Sequence, residues 1–369
     1  MNKKGKELAD QLFPDTEEQE LEEGILNIPA AQRRLITSTV DFSVSTIFEY
    51  LESSAIRVPE YQRKYIWTGS KPSRLIESLV IQCPIPVIYL NRAHDETLEV
   101  IDGNQRFTSI RRFLRDEYSL KGLTAFPELL SLTYSQLEPR IQRHILNRTL
   151  RCIIIEKETH PQIKFDVFER LNSGSMPLSA QELRNGIYHG PFMKRLQKIA
   201  SGKTFAKQTG LANDQRMKRE ELVLRFLALS DGWRGYKKPL GSFLNKYSET
   251  NRSASVERLA KLERAFHNAV GVAAEIFGDS AFRLEATTKN GKVVKKFNAA
   301  YFDAISVGIH EWISVKDREI SLALRKSITR KIGDLIVSDE FLKQVLRATS
   351  DETAVKSRIK AVVAALESA

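Results

Sequence analysis

Runs of β-type composition end at Glu156; beyond it, apart from one later stretch, apolar residues recur only at helical spacing. That change of period limits the fold to a small α+β part followed by a mostly helical one. A length of 369 residues accommodates two domains at about 100–200 residues each. Residues 1–38 are polar and aperiodic and read as a mobile acidic arm. Val44, Ile47, Phe48 and Leu51 share a helix face, and the extended segment Ile56 to Pro59 follows. Leu75, Ile76 and Leu79 mark a helix over Pro72 to Gln82. The short runs Pro86 to Leu90 and Leu98 to Ile101 read as a hairpin, and Phe107, Ile110, Phe113 and Leu114 mark a helix that starts on Gly103. A helix from Tyr134 to Asn147 leads into a strand from Leu150 to Glu156. Ser179 and Glu182 have the spacing of a capping box, and Asn290-Gly291 reads as the turn of a hairpin within 282–297. The expected domains are 40–157, α+β, and 158–369, mostly helical.

With 42% hydrophobic and 28% charged residues, the composition is that of a folded globular protein rather than a disordered or fibrous chain. Cys83 and Cys152 are the only cysteines, which excludes a disulfide framework and a Cys-rich zinc site and points to a reducing, cytoplasmic compartment. No apolar run reaches the roughly 20 residues that span a bilayer, and Met1 to Asp10 lacks the apolar core of a signal peptide, so no membrane partner is expected. The formal charge is +11, yet the first 40 residues hold 8 acids against 5 bases. A basic body behind an acidic leader suits a polyanion such as nucleic acid.

The segment Val100 to Phe107 carries the clearest chemistry. Gly103 between a strand and a helix permits a tight turn, after which the first-turn N–H groups face outward with partial positive charge. Arg106, one turn in, is placed to clamp a phosphate, and Asp102 at the strand end to hold magnesium or orient a water. The alternative is a turn aspartate capping its own helix, with Arg106 paired to a surface acid. A second segment, Val58 to Trp67, interleaves Tyr61, Tyr65 and Trp67 with Gln62, Arg63 and Lys64, offering faces for a base beside donors for phosphate.

Together with Phe168 to Gly174 and Leu178 to Asn185, these segments resemble the N-terminal domain of GmrSD-type restriction endonucleases. The family's tyrosine-glutamine-arginine-x-tyrosine-x-tryptophan run appears at Tyr61 to Trp67. Its aspartate-glycine-glutamine-glutamine-arginine signature appears at Asp102 to Arg106, with Asn104 in place of the first glutamine, and its third motif appears at Arg170 to Asn185. The resemblance covers about residues 40–230. It implies a core similar to ParB and sulfiredoxin, binding and hydrolysis of a nucleoside triphosphate (GTP or ATP, with Mg), and restriction of modified phage DNA. Carried over, Asp102, Gln105 and Arg106 are the catalytic candidates and Asp102 the metal ligand. Gly103, Asn104 and Arg106 would contact the nucleotide, with Tyr61, Gln62 and Arg63 as the flanking wall. The shorter reach of Asn104 bears on hydrolysis rate and nucleotide preference. Cutting in that family resembles the work of a His-Asn-His-type domain; after residue 190 only His267 and His310 occur, and no Asp-x-Lys or Glu-x-Lys triplet is present. A separate nuclease subunit is therefore the expected partner.

Between Lys194 and Arg219 lie Lys194, Arg195, Lys198, Lys203, Lys207, Arg216, Lys218 and Arg219 against one acid, Asp214. A second basic group, Lys289, Lys292, Lys295 and Lys296, surrounds the Asn290 turn. Both read as DNA-backbone contacts, with a solvated helix face as the alternative. Gly202-Lys203-Thr204 mimics the end of a P-loop, but Gln197 stands where its first glycine belongs. Three functional classes remain open: a nucleotide-hydrolysing component of a phage-defence system, a non-catalytic DNA-binding module, and a nuclease using the Asp102 to Arg106 loop directly with an acid such as Glu60.

Overall fold

The computed structural model describes residues 33–369 apart from 59–64, 66, 94, 172–177, 213, 215, 288–292, 316–319 and 348. Up to position 32 the expected arm lies outside the described residues. Thr37 and Ser38 are not arm: they open β1 (Thr37–Ser43). Only Val40 and Phe42 in that strand are strongly apolar, so its period of two is weak in the sequence. Pairing makes it a strand, with Asp41 set opposite Arg151 and both oxygens of the aspartate accepting from the guanidinium at 3.0 Å.

Then come α1 (Val44–Glu52), β2 (Ile56–Arg57), α2 (Lys71–Val80), β3 (Ile88–Arg92), β4 (Leu98–Asp102), α3 (Asn104–Leu114), α4 (Pro139–Asn147), β5 (Thr149–Ile155), α5 (Pro161–Leu171) and α6 (Ala180–Ile187). The helix expected from Tyr134 is divided: Tyr134–Gln136 is a 3-10 turn, and α4 starts at Pro139, whose fixed φ and missing N–H suit a first helical position. The five strands lie in the order β1-β5-β3-β4-β2. β1 and β5 are antiparallel, as are β3 and β4; β3 runs parallel to β5, and β2 to β4.

Alternation along the strands separates two faces. On one, Ile88, Leu90, Val100, Cys152 and Ile154 form a core with Ile47 and Leu51 of α1, Ile76 and Leu79 of α2, and Phe107, Ile110 and Phe113 of α3. Each such side chain, fully buried, contributes about 1.5–3 kcal/mol. On the other, Asn91, Glu99 and Ile101 meet Phe168 of α5 and Leu183 of α6. Covering the second face explains why α5 and α6 group with the sheet: the chain divides into a compact unit ending at Ile187 and another from Tyr188 to Ala369, so the two helices expected beyond 157 belong to the first.

The second unit comprises α7 (Pro191–Ala200), α8 (Lys203–Thr209), α9 (Lys218–Gly232), α10 (Leu240–Asn251), α11 (Val256–Phe277), the antiparallel strands β6 (Arg283–Thr287) and β7 (Val293–Phe297), α12 (Ala299–Val315), α13 (Leu322–Ile336), α14 (Asp339–Leu346) and α15 (Glu352–Glu367). The hairpin strands match expectation, while the Asn290-Gly291 turn lies outside the described residues. Phe226, Phe266, Phe302 and Trp312 are fully buried at its centre. The mixed α+β character with a helical C-terminal part is as expected, and no described helix is long and apolar enough to cross a membrane.

Candidate functional site

β4 ends on Asp102 and the chain reverses at Gly103, with φ +110°, in the left-handed region that favours glycine. A Cβ there would stand 3.0 and 3.1 Å from the two γ carbons of Ile88, so space as well as conformation demands glycine. Phe107 N–H donates to the Gly103 carbonyl (2.9 Å), starting α3, and no side chain caps that helix start among the described residues.

Arg106 does not face outward. Its Nη2 donates to Asp102 Oδ2 (2.6 Å), while Nη1 donates to the Pro86 carbonyl and to that of Val87 (3.3 Å), leaving the residue 9% exposed. The guanidinium thus fastens the end of β4 to the segment entering β3. Asp102 itself remains half exposed, and among the described residues nothing donates to its Oδ1. Asn104 Oδ1 accepts from Thr108 Oγ1 (3.0 Å), and Gln105 Oε1 accepts from the Trp67 N–H (3.2 Å).

Two of the motifs meet on α3. The Tyr65 hydroxyl and Ser109 Oγ lie 2.9 Å apart, Arg112 stacks over the Tyr65 ring at 4.8 Å, and Trp67 packs against the core. Tyr61, Gln62 and Arg63, expected as the flanking wall, lie outside the described residues, as does Glu60. The described part of the third motif, from Leu178 on, lies against the opposite face of the sheet. Its capping box forms as the spacing predicts: Ser179 N–H donates to Glu182 Oε2 and Glu182 N–H to Ser179 Oγ (3.2 Å). Glu182 and Arg184 are buried, the latter over Phe165 at 5.8 Å. Nearby, Lys164 Nζ donates to Asn91 Oδ1 (2.8 Å) and Asn91 Nδ2 to Glu99 Oε2 (3.1 Å). This buried chain went unrecognised in the sequence; its signal is a pair of polar residues inside strands that fall opposite one another. No group of three His, Cys, Asp or Glu suited to a metal occurs among the described residues.

In the second unit, acids remote in sequence reach several bases of the Lys194 to Arg219 stretch. Glu263 pairs with Arg195 and with Lys198 (3.8 Å), and Asp279 with Lys207 (3.2 Å). The Asp214 carboxylate accepts from the Arg216 and Arg219 N–H groups at 3.0 and 2.6 Å, with the Arg219 guanidinium 3.9 Å away. Lys194, Lys203 and Lys218 are exposed and form no ion pair among the described residues. The fold also joins what the sequence separates, because Arg283 of β6 donates to the Lys207 carbonyl (3.3 Å), setting the hairpin with Lys295 and Lys296 beside α8; Lys289 and Lys292 lie outside the described residues. Lys203 opens α8 directly after the helix α7, so the P-loop mimic lacks the strand such a loop requires.

No curated protein sequence matches the chain. A family model does, that of the GmrSD restriction endonuclease N-terminal domain, over residues 44–189. The match spans β2 to β5 with all their intervening helices, the Asp102 to Arg106 turn and the capping-box helix α6. Over residues 44–189 the chain is therefore similar to the GmrSD restriction endonuclease N-terminal domain family.

Proposed function

We propose that this protein is the nucleotide-binding and nucleotide-hydrolysing, DNA-associated component of a restriction or antiviral defence system, with cutting performed by a separate nuclease subunit. The observation that carries the reading is the turn at Gly103, where a helix without a side-chain cap begins directly after the exposed carboxylate of Asp102. Backbone N–H groups at such a start receive phosphate oxygens, and the helix dipole favours their charge. Magnesium, held by Asp102 and by the phosphates, would neutralise negative charge on the transferred group. Arg106 keeps strand end and helix start in register through its bonds to Asp102, Pro86 and Val87. Gln105, oriented by the Trp67 N–H, is assigned the catalytic amide. Tyr65 and Trp67 on α3 support a role for Tyr61, Gln62 and Arg63 as the nucleotide's flanking wall.

Calorimetry and phosphate-release assays on the full chain with GTP or ATP and magnesium test this reading. Saturable binding is expected, weakened roughly tenfold or more in Arg106→Ala, because that change unties the end of β4 from the start of α3 and loosens the turn that would receive the phosphates. Absence of heat and of phosphate release with both nucleotides overturns it. Tight DNA binding without phosphate release favours the non-catalytic module. Metal-dependent plasmid cleavage that disappears in Asp102→Ala favours the nuclease.

A further inference from the structure

A second place in the first unit has the attributes of an anion site. The parallel strands β3 and β5 begin side by side, and β1 ends next to them, so Val87, Arg151 and Asp41 gather at one end of the sheet. There they line a cleft of about 290 Å³ together with Cys83, Pro84 and Arg148. Its charges do not cancel. Arg151 is held by both oxygens of Asp41, and that guanidinium keeps the Asp41 carboxyl below its ordinary pKa. Arg148 is left over: its Nε is buried without a hydrogen-bond partner, and no carboxylate pairs with it among the described residues. Its backbone is fixed, with the carbonyl accepting from Val44 N–H (2.8 Å) and the N–H donating to the Ile145 carbonyl (3.2 Å), so the side chain that lines the cleft is carried on a rigid base. An arginine that lines a cleft without a carboxylate partner can meet an anion through its Nη groups.

We infer that this cleft binds a small phosphate-bearing anion through Arg148. A guanidinium matches phosphate oxygens with parallel N–H donors, and the excess of one positive charge over Asp41 favours an anion over a neutral ligand. The site is distinct from the Gly103 turn, although the segment Pro84 to Val87 borders both, since Arg106 holds the Pro86 and Val87 carbonyls. It does not depend on nucleotide binding at that turn.

Cys83 supplies the probe. It is exposed and lines the cleft, whereas Cys152 is buried and its thiol pushed up to about 12 by that burial, so native alkylation reports Cys83. The rate of iodoacetamide labelling of the full chain is measured against inorganic pyrophosphate and, separately, GTP and ATP. Saturable protection is expected, with the half-protecting concentration raised roughly tenfold or more in Arg148→Gln and less in Arg148→Lys, while Gln105→Ala at the turn leaves it unchanged. Protection by pyrophosphate identifies free phosphate as sufficient; protection by the nucleotides alone, lost in the Arg148 variants, identifies a nucleotide as the source. No protection by any of the three, or protection unchanged in folded Arg148→Gln and Arg148→Lys as judged by circular dichroism, overturns the inference. Loss of protection in Gln105→Ala with retention in Arg148→Gln also overturns it, because the effect then belongs to the turn. Calorimetric failure of GTP and ATP, by contrast, strikes the nucleotide reading and leaves the pyrophosphate result standing.

Discussion

Gly103 joins a positive φ to a close approach by Ile88, and the two constraints reinforce each other. An alanine there must hold a strained backbone while its methyl group presses on a fully buried neighbour. Gly103→Ala is expected to cost about 1–3 kcal/mol, read as a lower urea midpoint with unchanged m-value. A wild-type midpoint would mean that the turn relaxes freely, removing the rigidity on which a preformed phosphate site depends. Arg106 teaches a related lesson. Its spacing from Asp102 is visible in the sequence, yet the carbonyls of Pro86 and Val87 that draw it inward belong to a strand entry twenty residues earlier. An arginine near a helix start was legible; its role as a tie between strand ends was not.

At the scale of elements, single charged side chains fasten pieces that the sequence shows only separately. Glu77 of α2 is 6% exposed and its carboxylate accepts from the N–H groups of Thr124 (2.7 Å), Ala125 (2.6 Å) and Phe126 (3.2 Å), holding that loop to the helix. Burial pushes its pKa up, but the backbone donors outweigh burial and leave it below the ordinary glutamate value of 4.5. A folded-state pKa below the unfolded one contributes stability that is present above pH 4.5 and lost as pH falls through the folded value. Thermal midpoints measured below that pH should therefore drop for the native protein, and Glu77→Gln should start lower at neutral pH and lose part of this acid dependence. An identical pH profile in the variant would show that another group carries it. In the second unit, Asp303 of α12 is fully buried between Arg225 of α9 (2.6 Å) and Arg358 of α15 (3.2 Å), and Arg358 Nη1 also donates to the Thr349 carbonyl (2.6 Å). Asp303→Asn leaves two buried guanidinium groups undercompensated, with an expected loss of about 3–5 kcal/mol. Denaturation followed by the fluorescence of Trp233 and Trp312 would register it, and a change within error would mean that the pins are redundant.

For the molecule as a whole, the count of 57 lysines and arginines overstates what any polyanion can use, because folding pairs several of them with acids. Arg195, Lys198 and Lys207 already face Glu263 or Asp279, whereas Lys194, Lys203 and Lys218 do not. If DNA meets this surface, replacing the latter three by Gln should flatten the log–log dependence of affinity on salt by about 2–3, one condensed counterion per phosphate contact. Fluorescence anisotropy across a salt series checks this. An unchanged slope would assign these lysines to a solvated face.

The sequence by itself determined the change from β-type to helical period, the β3–β4 hairpin, the strand-glycine-helix turn and the Ser179–Glu182 capping box, since each rests on spacing within a few residues. It also carried the likeness of residues 44–189 to the GmrSD N-terminal domain, through ordered short motifs. Only the tertiary structure decided that Thr37 to Ser43 is a strand, that Arg106 points inward, that α5 and α6 belong with the sheet, and which bases are neutralised. The physical reason is common to all four. Each depends on a partner far along the chain, opposite a strand, across a sheet face or on another helix, and local spacing records which groups exist but not which of them folding brings within hydrogen-bond reach.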